Sequence, residues 1–84
     1  MIKILYFARL RERLGCQEER LDLPAGVGTI ADLLAHLRAR GGLWAEALGE
    51  GERFMSAVNQ EIVQPGTSIR DGDEVAFFPP VTGG

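Results

Sequence analysis

The chain has 84 residues, 45% of them hydrophobic and 25% charged, with a formal net charge of −3. That is enough for one domain, small enough that only about 60–65% of its unfolded surface is buried on folding. The acidic balance, without a Lys/Arg cluster along the chain, argues against nucleic acid as a main partner. No apolar stretch has membrane-spanning length, and the run between Lys3 and Arg9 is too short for a signal peptide, which excludes a membrane partner and leaves the cytoplasm as the default compartment. The single cysteine, Cys16, excludes an intrachain disulfide framework and a multi-cysteine metal site, so the core alone must hold the fold.

Met1–Phe7 reads as a strand rich in branched and aromatic residues. With Lys3 toward solvent, the two-residue period puts Ile2, Ile4 and Tyr6 inward and Leu5 and Phe7 outward. Ala8–Leu14 carries Leu10 and Leu14 at helical spacing, and Gly15 is placed to end that short helix. Gln17–Leu23 is a second strand with Leu21 and Leu23 inward, followed by a loop over residues 24–28. From Thr29 to Arg40, Ile30, Leu33, Leu34 and Leu37 form one apolar stripe of an amphipathic helix. Thr29 is its N-cap, with Asp32 completing a shortened capping box, and Gly41-Gly42 ends it. Leu43–Leu48 reads as one more helical turn that anchors Trp44 in the core or at its rim.

Phe54–Val58 is a third strand, turning at Asn59-Gln60 into Glu61-Ile62-Val63. Turns follow at Pro65-Gly66 and Asp71-Gly72-Asp73. Glu74–Phe78 is the last strand, with Val75 and Phe77 inward and Ala76 and Phe78 outward. One long amphipathic helix must bury its stripe on a sheet, and a terminal strand parallel to the first satisfies the crossover rules. The expected fold is therefore α+β, a ubiquitin-like β-grasp with a mixed sheet on one main helix. Residues 1–78 form the domain and 79–84 an extended C-terminal tail.

Two consequences follow for function. Leu5, Phe7, Ala76 and Phe78 fall together on the sheet face away from the helix, with Ile62 extending an apolar patch suited to docking. Beyond the patch, Pro79-Pro80 cannot continue the ladder and favours a polyproline II path. Six residues from Pro79 to Gly84 span at most roughly 20 Å. They end in two residues without side chains, a stiff arm with a slim tip that suits delivery of a carboxylate into a narrow pocket. An ordinary frayed terminus is the alternative for the tail taken alone.

Val58-Asn59-Gln60 and the run from Asp71-Gly72-Asp73-Glu74-Val75-Ala76-Phe77-Phe78 through Pro79-Pro80-Val81-Thr82-Gly83-Gly84 resemble the small, sulfur-carrier subunits of molybdopterin synthase. Ile2-Lys3-Ile4-Leu5-Tyr6-Phe7-Ala8 with the Arg-rich turn after it is similar too, while residues 39–53 carry little of the resemblance. The resemblance implies a cycle run by partners. A ubiquitin-activating-like adenylyltransferase uses ATP to adenylate Gly84, and a sulfur donor protein converts it to a thiocarboxylate. The tail then enters the large synthase subunit, in a heterotetramer of two small and two large subunits, to sulfurate a pyranopterin precursor. It implies Gly84 and Gly83 as the reacting end, and Phe7, Ile62, Phe78, Pro79, Pro80, Val81 and Thr82 as partner-binding residues. It also implies that this chain binds no cofactor or metal itself and is not an enzyme on its own.

The remaining chemistry is sparse. His36, on the solvated helix face with Asp32 and Arg40, reads as a surface residue rather than a catalyst, and Cys16 as a small structural hydrophobe, with a free thiol relaying sulfur as its alternative. Glu18-Glu19 and Arg9-Arg11-Arg13 read as solvated faces, with contact to the activating enzyme as the alternative. Gly26-Val27-Gly28 lacks the third glycine and the context of a phosphate loop. Sulfur transfer to a thiamine precursor or transfer RNA, isopeptide modification of proteins, and an idle tail on an interaction domain are the other readings.

Overall fold

The structure, a computed structural model, describes residues 1–80. In chain order it contains β1 (Ile2–Tyr6), α1 (Ala8–Leu14), β2 (Glu18–Leu21), α2 (Ile30–Arg38), α3 (Gly42–Ala47), β3 (Met55–Val58), β4 (Glu61–Val63) and β5 (Glu74–Phe78). The strands form one five-stranded sheet in the order β2-β1-β5-β3-β4. β5 lies parallel to β1 at its centre and every other pairing is antiparallel. This is the expected β-grasp. Among the described residues, no helix is long and apolar enough to cross a membrane.

The alternation along β1 and β5 sends Ile2, Ile4, Tyr6, Val75 and Phe77 to one face, where each is at most 1% exposed. α2 lays Ile30, Leu33, Leu34 and Leu37 against that face, with Leu10 and Leu14 from α1 and Ala47 and Leu48 from α3 closing its ends. Ile69 joins this core from the loop between β4 and β5, a stretch whose burial has no periodic signal in the sequence. Its N–H donates to Gly28 O at 3.0 Å, while Thr67 O and Pro65 O accept from the first amides of α2. The start of the main helix is thereby satisfied by backbone as well as by the Thr29–Asp32 capping box.

Several boundaries differ from the sequence expectation. α2 stops at Arg38, and Gly41 and Gly42, both at positive φ (78° and 54°), reverse the chain directly into α3. β2 is shorter than expected because Asp22 and Leu23 lie beyond the last residue paired to β1. Trp44 sits at the rim of the core, edge-on to Tyr6 with ring centroids 5.4 Å apart. Asn59 and Gln60 both take positive φ (50° and 72°), the pattern of a two-residue hairpin turn matched to strand twist. Asn59 is also tied to β5: its Nδ2 donates to Asp73 Oδ1 at 3.1 Å and its Oδ1 accepts from the Glu74 amide at 3.0 Å.

Candidate docking face and tail root

The strand register sets out the face opposite α2. Leu5 pairs with Ala76, Ala76 with Ala57 and Ala57 with Ile62, so these four stand in one row across β1, β5, β3 and β4. Glu18, opposite Leu5, ends the row on β2. Phe78 stands one step further along, opposite Met55. Phe7 follows β1 in extended conformation (φ −118°, ψ 154°), and its amide donates to Phe77 O at 3.1 Å. It therefore keeps the outward parity of Leu5 and falls beside Phe78. Phe7 is 45% and Ile62 58% exposed, while Phe78 and Leu5 are half-buried. A large aromatic and a branched aliphatic side chain are left bare on a face with no helix to cover it.

Polar residues fence one end of this face. Lys3 pairs with Glu74 and with Arg20 in the register, and Lys3 Nζ lies 3.6 Å from Glu18 Oε2. The apolar side chains gather at the other end, where β5 runs out at Phe78 into half-buried Pro79 and exposed Pro80. Gly84 and Gly83, the expected reacting end, and Val81 and Thr82 lie outside the described residues. Of the expected partner-binding residues the structure describes Phe7, Ile62 and Phe78 on the outer face and Pro79 and Pro80 at the root of the tail.

Inside the opposite edge lies a feature that the solvated-face reading of Glu18-Glu19 misassigns. Glu19 is not part of a solvated face, because its parity matches Leu21 and points it toward the core side. Its Oε2 accepts from Tyr6 Oη at 2.9 Å, and both its oxygens accept from the Arg40 guanidinium, at 3.0 and 2.8 Å. The same guanidinium stacks 4.4 Å over the Trp44 ring. Burial raises the Tyr6 hydroxyl far above its ordinary range, helped by the Glu19 charge. Burial would also raise Glu19, but the hydrogen bonds from Arg40 and Tyr6 outweigh it and hold the carboxyl below its ordinary value. An inward-parity Glu on a strand otherwise carrying leucines is the signal that could have found this network. Cys16 is half-buried against the core, its Sγ 3.5 Å from Glu18 O, and burial raises its thiol. Among the described residues no group of His, Cys, Asp and Glu is arranged to hold a metal ion.

A five-stranded sheet folded around one main helix, its last strand parallel to the first and leading out past an uncovered apolar face, defines a ubiquitin-like β-grasp domain. The chain belongs to the ThiS family, whose model matches residues 4–84. It is 45% identical over 84 residues to the molybdopterin synthase sulfur carrier subunit of Escherichia coli (strain K12), covering 100% of both chains. Among solved structures it resembles a putative molybdopterin converting factor, subunit 1, from Pyrococcus furiosus, with a TM-score of 0.76 and 34% identity over 95% of this chain and 97% of that one. It also resembles the H. volcanii small archaeal modifier protein 1, with a TM-score of 0.75 and 30% identity over 95% and 97% of the two chains.

Proposed function

We propose that this chain is the sulfur carrier of molybdopterin synthesis, a non-catalytic subunit whose own C-terminus is the reagent. The observation that carries this reading is end-to-end identity of 45% with a curated sulfur carrier subunit, covering 100% of both chains. The chemistry suits such an end. A carboxylate is a poor electrophile, so an activating enzyme must first join the Gly84 carboxylate to the α-phosphorus of ATP and release pyrophosphate. A cysteine persulfide of a donor protein then attacks the acyl carbon and AMP leaves; a thiol attacks the donor-side sulfur of the resulting acyl disulfide, forming a disulfide with the donor cysteine, and a thiocarboxylate remains. In the large subunit the sulfur passes to the pyranopterin precursor, and water restores the carboxylate.

Glycine at both terminal positions leaves the acyl carbon unhindered and lets backbone approach the walls of a tight site. Ordering such a chain costs about 1–2 kcal/mol per residue, and Pro79-Pro80 reduce what remains to be ordered on insertion. The outer face with Phe7, Ile62 and Phe78 serves as the docking surface for the large subunit, in an assembly of two small and two large subunits. Val81 and Thr82, with Pro79 and Pro80, bind the large subunit along the tail. ATP belongs to the activating enzyme, and the setting is the cytoplasm.

The test is the intact mass of the protein isolated from cells that contain the activating enzyme. A species heavier by the difference between one sulfur and one oxygen, lost on hydrolysis, is expected. Its absence would overturn the carrier reading. The likeness to a small archaeal modifier protein favours one second reading, attachment of Gly84 to lysine side chains through an isopeptide bond. Conjugates in the same mass analysis, without the sulfur-bearing species, would move the assignment there.

A further inference from the structure

A cleft of about 710 Å³ opens at the root of the tail, with Pro79 and Pro80 in its lining. Leu10 and Ala47, both buried, give it an apolar floor. Arg9 and Arg13 from α1 and Arg53 from the segment before β3 also line it, against a single acid, Glu52. The sequence hides this cluster, because Arg53 is remote from α1 along the chain and only the fold brings it there. In a chain of net charge −3, the lining is net positive.

These cations do not serve α1. Arg9 stands in the first turn, where the helix dipole disfavours a cation and no acidic residue offsets it. Arg13 follows four residues on, so like charges share one helix face. Ala8, also in the lining, holds φ at 51°, a left-handed conformation unfavourable for a residue with a Cβ. Glu52 pairs with Arg13 at 3.2 Å, whereas Arg9 and Arg53, both exposed, make no ion pair among the described residues. Two cations of the lining are thus left without a counter-charge among those residues.

We propose that this cleft binds the chain's own C-terminal segment, residues 81–84, and sets the Gly84 carboxylate against Arg9 and Arg53 whenever no partner holds it. The proposal rests on the carrier reading above, which makes Gly84 the reacting end. Three observations select this occupant. The segment starts at the cleft, because Pro80 is part of the lining. Four residues beyond Pro80 reach at most about 14 Å, enough to cross such a cleft and too little to leave the neighbourhood of its walls. The chemistry also matches: Val81 suits the apolar floor, Gly83 and Gly84 let backbone approach the walls, and the terminal carboxylate supplies the missing charge. Exposed ion pairs are weak, so the seated end adds little to stability and is readily given up. Tethering keeps its effective concentration in the millimolar range, so a weak contact is still populated. A thiocarboxylate is an anion too, and the loaded end seats as the unloaded one does. A segment seated half the time lowers a partner's apparent affinity for the tail only about twofold.

The experiment is NMR of the isotopically labelled full chain. At low salt, nuclear Overhauser contacts from the Val81 and Thr82 methyl groups to Leu10 and Ala47 are expected. Arg9→Gln combined with Arg53→Gln should abolish these contacts and move the Gly84 amide resonance to the position of an unstructured peptide. Both arginines are exposed, so the substitutions leave the core untouched. Sodium chloride at about 1 M, where the Debye length is about 3 Å, should do the same to the unaltered protein. Contacts absent from the unaltered protein at low salt would overturn the proposal. So would contacts that survive both the double substitution and the salt, because charge would then not be what holds the segment. The sulfur-bearing species tests the carrier reading separately. Its presence without these contacts removes this proposal alone, and its absence alongside them removes the carrier reading alone.

Discussion

Tyr6 and Phe7 are consecutive aromatics with opposite fates. Tyr6 is 1% exposed, stacked near Phe77, edge-on to Trp44, and its hydroxyl donates to Glu19, itself gripped by Arg40. Phe7 is 45% exposed on a face that no element covers, next to a residue in left-handed conformation and an arginine with no acidic partner among the described residues. At the Tyr6 end Tyr6, Glu19 and Arg40 have found partners within this chain, and the network ties β1 and β2 to the segment after α2 and to Trp44 of α3. At the Phe7 end apolar area, charge and backbone strain are all left unbalanced. A domain of this size has little stability to spare, so an edge that forgoes these gains is best explained by docked partners and a seated C-terminus that supply them.

That contrast is broken most sharply beyond the domain. Deleting Gly84 is expected to abolish sulfur transfer while the melting temperature stays where it was; a large fall in melting temperature would show that the tail belongs to the fold. Phe78→Asp places a charge in the outer row beside Phe7. It should weaken large-subunit binding by about 2–4 kcal/mol, mainly through faster dissociation, with the circular dichroism spectrum intact. Unchanged affinity would retire the outer face as a docking surface.

The satisfied end should respond the other way. Glu19→Gln leaves the Arg40 guanidinium without its carboxylate and is expected to cost about 1–2 kcal/mol, or roughly 5–10 °C in melting temperature, with sulfur transfer intact below the melting transition. Its pH signature follows from two signs. Glu19 is held below its ordinary 4.5, so its contribution is complete above that value and drains away as pH falls through the lowered one. Tyr6 is held above its ordinary 10.0, so its contribution is complete below that value and is lost as pH rises beyond it. Denaturant titrations across pH should show loss on both flanks, and Glu19→Gln should shallow the acid one. Equal acid slopes in the two proteins would mean that Glu19 is not the group responsible.

The two ends were not equally legible in the sequence. The helix stripe from Ile30 to Leu37 and the parity of β1 and β5 follow from periodicity, and crossover rules permit the parallel pairing that sets Leu5 beside Ala76, while the link through Ala57 to Ile62 comes from the register alone. Local rules failed where the chain meets itself at long range. Glu19 and Arg40 look like surface charges until β2 is registered against β1 and α2 is turned back by Gly41. Arg53 looks remote from the Arg9-Arg11-Arg13 run until the fold brings the segment before β3 against α1. Ile69 is a single buried residue in a loop, where no period exists to announce it. Charge and loop burial depend on three-dimensional neighbours, and hydrophobic periodicity carries no record of those.

The smallest effect concerns Ala8, which joins the outer face to the cleft: Phe7 precedes it on the one and Arg9 follows it on the other. Its left-handed backbone costs about 1–2 kcal/mol for a residue with a side chain, and glycine removes that cost while adding up to about 1 kcal/mol of unfolded-state entropy. Ala8 is exposed, so Ala8→Gly forfeits little packing, and the melting temperature should stay level or rise by a few degrees. The same freedom loosens the hold on Phe7 at the outer face, so affinity for the large subunit should fall about threefold through lost preorganisation. Stability and binding would then move in opposite directions from one methyl group. If both fall together, Ala8 serves the fold alone, and its strain carries no information about the docking surface.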